Sequence, residues 1–380
     1  MIELIKADKC WRKPFSGKPR NASTQNRLTT WLVPPQSFAM PMQVARLYDF
    51  GDIRIEQSPR PEPGASDLLV RVTACGICSG DIMPWYIRRK APLVLGHEPV
   101  GVIAEAGPAV RDFKPGDRVF VHHHAPCFNC APCSRGEYVQ CSTWRSSQIT
   151  PGGMSEYFLV SPTNQRDTLK LPEDIDDLNA VLIEPAACVV KSLRRSGLRP
   201  GESVLIIGLG IMGMMHVKLA RHLGAGTIIG ADLFEQRALR AKQLGADHGI
   251  VVAGDNLPDQ VREITNGAMV DVVVVGPGTT RALATGIACA GKAATVVQFT
   301  ATPPEDELLL RPHDLYFNET RIVPSYSCGP DDTRESMELV GRGVLNAREL
   351  ITHRFPLTQI SEAYEQAQRP DALKVVVTFG

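Results

Sequence analysis

The chain has 380 residues, 43% of them hydrophobic, with 41 Lys and Arg balancing 41 Asp and Glu. That length supports a large buried core divided among two or three domains. Zero net charge gives no reason to expect a nucleic-acid partner or an anionic membrane surface, and no apolar run approaches the length needed to span a bilayer, so a soluble cytoplasmic protein is expected.

The balance hides an asymmetry. Residues 1–41 carry seven basic residues against Glu3 and Asp8, with five prolines and little apolar periodicity. This segment reads as an N-terminal extension, disordered or preceding the true start at Met40 or Met42, rather than as a secretory signal.

From Met42 onward the pattern is strand-rich. Short β-type runs at 44–47, 68–73, 100–105 and 118–121 are separated by turn signals such as Pro61-Glu-Pro63-Gly64 and Lys114-Pro115-Gly116-Asp117. Their spacing predicts a barrel-like β domain. Near residue 185 the texture changes to alternating helix and strand: helices at 184–196, 212–223 and 235–244, strands at 203–207, 227–231, 271–275 and 294–298. Such alternation predicts a doubly wound parallel sheet with helices on both faces. The tail predicts helices at 333–342 and 361–368 and a last strand at 374–379.

Between the first predicted parallel strand and its helix stands Gly208-Leu209-Gly210-Ile211-Met212-Gly213. Gly208 suits a tight turn, Gly210 lets the backbone approach a pyrophosphate, and Gly213 lets helix and strand pack closely. The helix start offers free N–H groups and the positive end of its dipole. Asp232 lies 24 residues after Gly208 at the end of the next strand. A carboxylate there accepts from ribose hydroxyls and repels a 2′-phosphate, which predicts NAD over NADP.

Cys127, Cys130, Cys133 and Cys141 have the spacing C-x2-C-x2-C-x7-C. Ten cysteines in a chain of this size, clustered like these, point to metal before disulfides. Four thiolates close a tetrahedral zinc shell and leave no position for substrate, so this zinc is structural; an iron–sulfur cluster and disulfides are the rival readings. His122, His123 and His124 just before the loop read as loop or strand-end residues rather than ligands. Elsewhere Cys75-Gly-Ile-Cys78-Ser79-Gly-Asp81, Gly96-His97-Glu98 and Glu184-Pro185 supply one thiolate from a pair, an imidazole and carboxylates, the donor types of an open zinc site.

Taken together, these motifs with Pro151-Gly152-Gly153 and the segment 350–356 resemble the zinc-dependent medium-chain dehydrogenase/reductase superfamily, in its sorbitol and threonine dehydrogenase branch, over residues 42–380. The resemblance implies an α/β protein: a GroES-like β-barrel catalytic domain from 42–186 and 326–380, and a Rossmann domain over 187–325. It implies that Cys78, not Cys75, is the catalytic thiolate and His97 the second zinc ligand. Glu98 and Glu184 are then the carboxylates that bind zinc or exchange with its water, and Asp81 an acid that orients the histidine. Arg237 is expected beside the adenosine and Lys374 near the pyrophosphate. The implied protein holds two zinc ions and NAD and forms a homo-oligomer, a dimer or tetramer, with strands 272–275 and 293–299 near a sheet edge. Its expected activity is reversible oxidation of a small secondary alcohol, a polyol, cyclitol, sugar derivative or amino alcohol, with zinc as Lewis acid and nicotinamide as hydride acceptor. A zinc-independent enoyl or quinone reductase and a non-catalytic NAD-binding protein are the alternatives.

The chain also departs from that family. Gly80 stands where relatives carry a relay hydroxyl, and Met83 where many have a relay histidine, so the proton leaves through Ser79, through a water on Glu184 or through the substrate itself. Tyr326 lies near the position of a polyol-binding arginine, which sets sorbitol itself in doubt. Trp85 and Tyr86 are expected to face the substrate.

Overall fold

A computed structural model of the chain describes residues 40–380; the expectations for the N-terminal extension lie outside the described residues, apart from Met40 and Pro41. The β-rich part comprises two sheets. Pro41–Asp49 pairs antiparallel with Asp52–Pro59 and with Leu93–Val94. A seven-stranded sheet runs Ile351–Pro356, Lys374–Thr378, Leu68–Gly76, Glu98–Ala106, Arg118–Val121 and Thr168–Lys170, with Tyr157–Val160 also on Leu68–Gly76. Alternation along these strands sends Ala45, Leu47, Leu68, Val70, Val72, Ile103 and Phe158 into one core between the sheets.

The last strand is the topological link. Lys374–Thr378 pairs antiparallel with Leu68–Gly76 through Val376↔Gly76 and Val377↔Cys75, so the chain's end returns to its beginning. It also pairs in parallel with Ile351–Pro356, a strand absent from the sequence-based expectation, and helix Ile360–Ala367 connects the two.

The second half is a six-stranded parallel sheet in the order His248–Val251, Ile228–Asp232, Val204–Ile207, Val270–Val275, Ala290–Gln298, Arg321–Pro324. Val204–Ile207 and, apart from exposed Asp271, its neighbour Val270–Val275 are buried, as their Val, Leu and Ile runs require. This corrects the expectation for 272–275, whereas 293–299 does stand beside an edge strand. Val270–Val275 is central, Ala290–Gln298 is one strand in, and the edges are His248–Val251 and Arg321–Pro324. Helix Ile183–Ser196 begins at the junction of the two halves and ends at Gly197, whose φ of 71° supplies the left-handed cap expected of it. Among the described residues, no helix is long and apolar enough to cross a membrane.

The glycine-rich turn behaves as its chemistry demands. Gly208 has φ of +86°, and a Cβ on Gly213 would lie 2.0 Å from the Gly208 carbonyl oxygen, whereas a Cβ on Gly210 would meet nothing within 4 Å. Gly213 therefore permits helix Ile211–His222 to start against the strand, and Gly210 leaves open space above it. Gly213→Ala is expected to lower stability by about 1–3 kcal/mol, the range for overpacking a close contact, and thermal denaturation will show a fall in Tm.

Candidate functional site

Cys78 caps a short 3-10 turn, Ser79–Ile82, and its Sγ accepts from the Gly80 N–H at 3.3 Å. His97 precedes strand Glu98–Ala106, so chain direction alone brings His97 and Glu98 to one sheet end. There one donor atom each from Cys78, His97 and Glu98 lies within 4.8 Å of the others, a group of the size that holds a metal ion. Cys75 is fully buried in the core, as expected, and burial drives its thiol well above the usual range.

Asp81 is 4% exposed, and its Oδ2 is 3.6 Å from His97 Nδ1, with no hydrogen-bond partner of its own. Burial opposes a charged His97, but Asp81 and then Cys78 outweigh it and hold the imidazolium well above its ordinary range. A carboxylate behind an imidazole that faces a thiolate is the arrangement by which proteins orient a metal-binding histidine.

Glu98 is 1% exposed. Burial raises its carboxyl pKa, against the opposing charge of Lys374, and Glu184 raises it further. Lys374 forms an ion pair with Glu98 and donates to the Ile77 carbonyl at 3.0 Å. This corrects the expectation for Lys374: it is 1% exposed, sits behind the Cys78 group and does not line the nucleotide crevice. A Cβ on Gly76 would fall 1.8 Å from Glu98 Oε2, so only glycine admits the pair beside this strand.

Glu184 occupies the first turn of helix Ile183–Ser196, 4% exposed. Its carboxylate groups with His122 and His123 rather than forming a single compact set with Cys78, His97 and Glu98. The His97 and His123 rings are 5.0 Å apart. Burial, with His124 adding to it, lowers His123 well below the usual histidine pKa, and burial lowers His124 to about 4. Those two imidazoles are therefore neutral at pH 7.

The wall beside this centre is aromatic. Tyr86 stands 3.7 Å from where a Gly80 Cβ would be. Trp144 packs edge-on to Tyr326 at 5.9 Å and against His124 at 4.4 Å. Trp85 meets Tyr86 edge-on at 5.6 Å. Trp144 was not picked out from the sequence, because nothing local distinguishes it from a core tryptophan.

A crevice of about 720 Å³ runs along the ends of the parallel strands. Its lining includes Gly208, Gly210, Ile211, Met212, Gly213, Asp232, Arg237 and, from the β-rich half, Ser79. Ser79 therefore brings the residue next to Cys78 into the cleft that holds the glycine-rich turn. Asp232 Oδ2 accepts from Leu209 N at 2.6 Å and Oδ1 from Phe234 N at 3.0 Å, which ties the acid to the turn. Arg237 reaches within 3.8 Å of Asp232 and donates to the Pro370 carbonyl at 2.9 Å.

The four-cysteine loop forms a separate lobe with only short helices. Its Sγ···Sγ separations are 3.4 Å for Cys130–Cys133, 3.6 Å for Cys127–Cys141 and 4.0 Å for Cys127–Cys133. Zn–S bonds of about 2.3 Å in a tetrahedron place sulfurs about 3.8 Å apart, so the set fits a zinc ion. Arg195–Glu137 at 3.2 Å and Tyr138–Asp331 at 3.0 Å dock the lobe on two helices of the main body.

Residues 64–173 match the family described as alcohol dehydrogenase GroES-like domain, and residues 212–342 match zinc-binding dehydrogenase. A sorbitol dehydrogenase of Bacillus subtilis is 31% identical over 350 residues, 88% of this chain and 97% of that protein. Among solved structures, a zinc-binding dehydrogenase from Sinorhizobium meliloti bound to NADP is similar with a TM-score of 0.79 and 29% identity, over 89% of this chain and 99% of that one. An alcohol dehydrogenase from Escherichia coli CFT073 complexed with NADH has a TM-score of 0.80 and 25% identity over 89% and 99%. The chain belongs to the zinc-binding medium-chain dehydrogenase/reductase family of alcohol dehydrogenases, with a GroES-like domain and a Rossmann-type parallel sheet.

Proposed function

We propose that the protein is an NAD-linked dehydrogenase that interconverts a secondary alcohol and its ketone, with a polyol, cyclitol, sugar derivative or amino alcohol as substrate. One observation carries this reading: Ser79, adjacent to Cys78, lines the same crevice as the glycine-rich turn. The sorbitol dehydrogenase likeness supports a polyhydroxylated substrate class. In this reading residues 42–186 and 326–380 form the catalytic domain and 187–325 the coenzyme domain. Exposed Leu309, Tyr316 and Phe317, beside edge strand Arg321–Pro324, support assembly as a homo-oligomer.

Cys78, His97 and a carboxylate, Glu98 or Glu184, would hold a zinc ion that serves as Lewis acid to the alcohol oxygen, while NAD accepts the hydride. The protein's own groups do the rest. Asp81 fixes the His97 ring. Lys374 pairs with Glu98 behind the centre and opposes the burial that raises its carboxyl pKa. Asp232 accepts from the adenosine ribose, and Arg237 stands beside it. The open space over Gly210 and the start of helix Ile211–His222 receive the pyrophosphate. With glycine at position 80, the Ser79 hydroxyl carries the alcohol proton toward solvent. Tyr86, Tyr326 and Trp144 give the substrate side an apolar wall.

Four measurements test the reading. Purified protein should contain the four-cysteine zinc and a catalytic zinc and should reduce NAD with a member of a polyol and amino-alcohol panel; Cys78→Ser should lose one zinc and turnover while still binding NADH. Loss of the lobe zinc in Cys133→Ser should instead destabilise the lobe, seen as early protease cleavage between residues 127 and 141. Asp232→Asn should lower kcat/KM for NAD roughly 10- to 100-fold, the value of a hydrogen bond to a charged group, and shift the NAD-to-NADP ratio toward NADP. Ser79→Ala should lower kcat about 100-fold at neutral pH, and adding Gly80→Thr, whose Cβ finds only ordinary contacts at 3.6 Å and beyond, should recover part of the loss.

A further inference from the structure

Beneath the catalytic centre lies a second set of donors, of which only Glu184 enters the proposed reaction. Glu184 and Cys188 are one turn apart on helix Ile183–Ser196, and Cys188 Sγ lies 3.8 Å from Glu184 Oε1. Cys328 arrives from 144 residues further along the chain, after strand Arg321–Pro324, and is fully buried. One donor atom each of Glu184, Cys188 and Cys328 lies within 4.8 Å of the others. His122, also fully buried, points Nε2 at Cys328 Sγ from 3.6 Å. Glu184 and His122 belong together to another group of the same tightness.

The histidine is prepared for a cation. Its Nδ1 lies 2.6 Å from Asp167 Oδ2, and Asp167 is itself fully buried. A carboxylate only accepts, so Nδ1 carries a proton, and in the neutral ring Nε2 is the nitrogen left to bind a cation. Asp167 is held in turn by the Thr333 hydroxyl at 2.8 Å. A carboxylate–imidazole pair with its free nitrogen aimed at a sulfur is the outer support that metal-binding histidines use. The Cys328–His122 spacing also fits. Zn–S of about 2.3 Å and Zn–N of about 2.0–2.1 Å in a tetrahedron separate sulfur from nitrogen by about 3.6 Å, matching Cys328 and His122.

We propose that His122, Cys188, Cys328 and Glu184 form a third metal site, distinct from the four-cysteine lobe and from the Cys78 centre, that takes a thiophilic divalent cation such as zinc. Two thiolates, one imidazole and one carboxylate suit zinc or cadmium and exclude magnesium and calcium, which want oxygen. This reverses the sequence-based reading of His122 as a bystander. Because Glu184 is common to this site and to the proposed catalytic set, a cation here draws that carboxylate away from the Cys78 centre. Loading then distinguishes Glu98 as the carboxylate of the catalytic zinc.

The test uses the full chain, equilibrated with zinc and freed of excess by gel filtration. Wild type is expected to hold three zinc ions per chain, and Cys188→Ser/Cys328→Ser two. Zinc should slow iodoacetamide alkylation of Cys188 by about tenfold, and a chelator should restore it, since a metal-bound thiolate is withdrawn from reaction. The alkylation measurement needs only wild type, so it decides the matter even where the double variant fails to fold. Cys78→Ser should lose one zinc and retain zinc protection of Cys188, which separates failure of the catalytic-zinc reading from failure of this one. A wild type with the same zinc content as the double variant, or Cys188 alkylation indifferent to zinc, overturns the proposal.

Discussion

The buried pair of Lys374 and Glu98 holds the site together. Both groups are 1% exposed, and each would be costly to bury without the other. Lys374 comes from the final strand and Glu98 from the strand that follows His97. Their pairing joins the chain's end to the segment that carries the imidazole. Lys374 also grips the Ile77 carbonyl, one residue before Cys78. The positions of thiolate, imidazole and carboxylate thus depend on one ammonium group. Gly76 is the steric condition for it, since any side chain there would collide with the Glu98 carboxylate.

The nucleotide half has its own fixed point. Asp232 accepts from Leu209 N within the glycine turn and from Phe234 N after its own strand. The acid proposed to read the ribose therefore also sets the shape of the turn proposed to receive the phosphates. A change at Asp232 acts on both, so the preference between the two nicotinamide coenzymes is a more specific measure of its role than activity alone. Helix Ile183–Ser196 joins the two halves: its first turn carries Glu184, and its last turn meets the cysteine lobe through Arg195.

Charge neutrality over the whole chain conceals a dense polar interior around this helix. Glu184, His122, Asp167, Asp332, Lys191 and Lys374 are all buried. Such groups persist only where each is paired. Asp167 supports His122, Arg194 meets Asp332 at 2.7 Å, and Lys191 donates to the Tyr326 carbonyl at 2.8 Å. That last contact ties the Tyr326 backbone to the polar interior.

Local spacing was sufficient for the features built from neighbouring residues. The four cysteines, the glycine turn with Asp232, and the helix stopped by Gly197 were legible because a few residues with fixed φ, small volume or sulfur donors define each of them. The Cys78, His97 and Glu98 grouping was reached by resemblance, and its compactness came from the pairing of Leu68–Gly76 with Glu98–Ala106. Only the tertiary structure decided which strands are sheet edges, that Lys374 serves Glu98 rather than the crevice, and that His122 meets Cys328. Those contacts join segments far apart in the chain. No periodicity or spacing encodes them, because they arise from how two separately predictable halves pack around one helix.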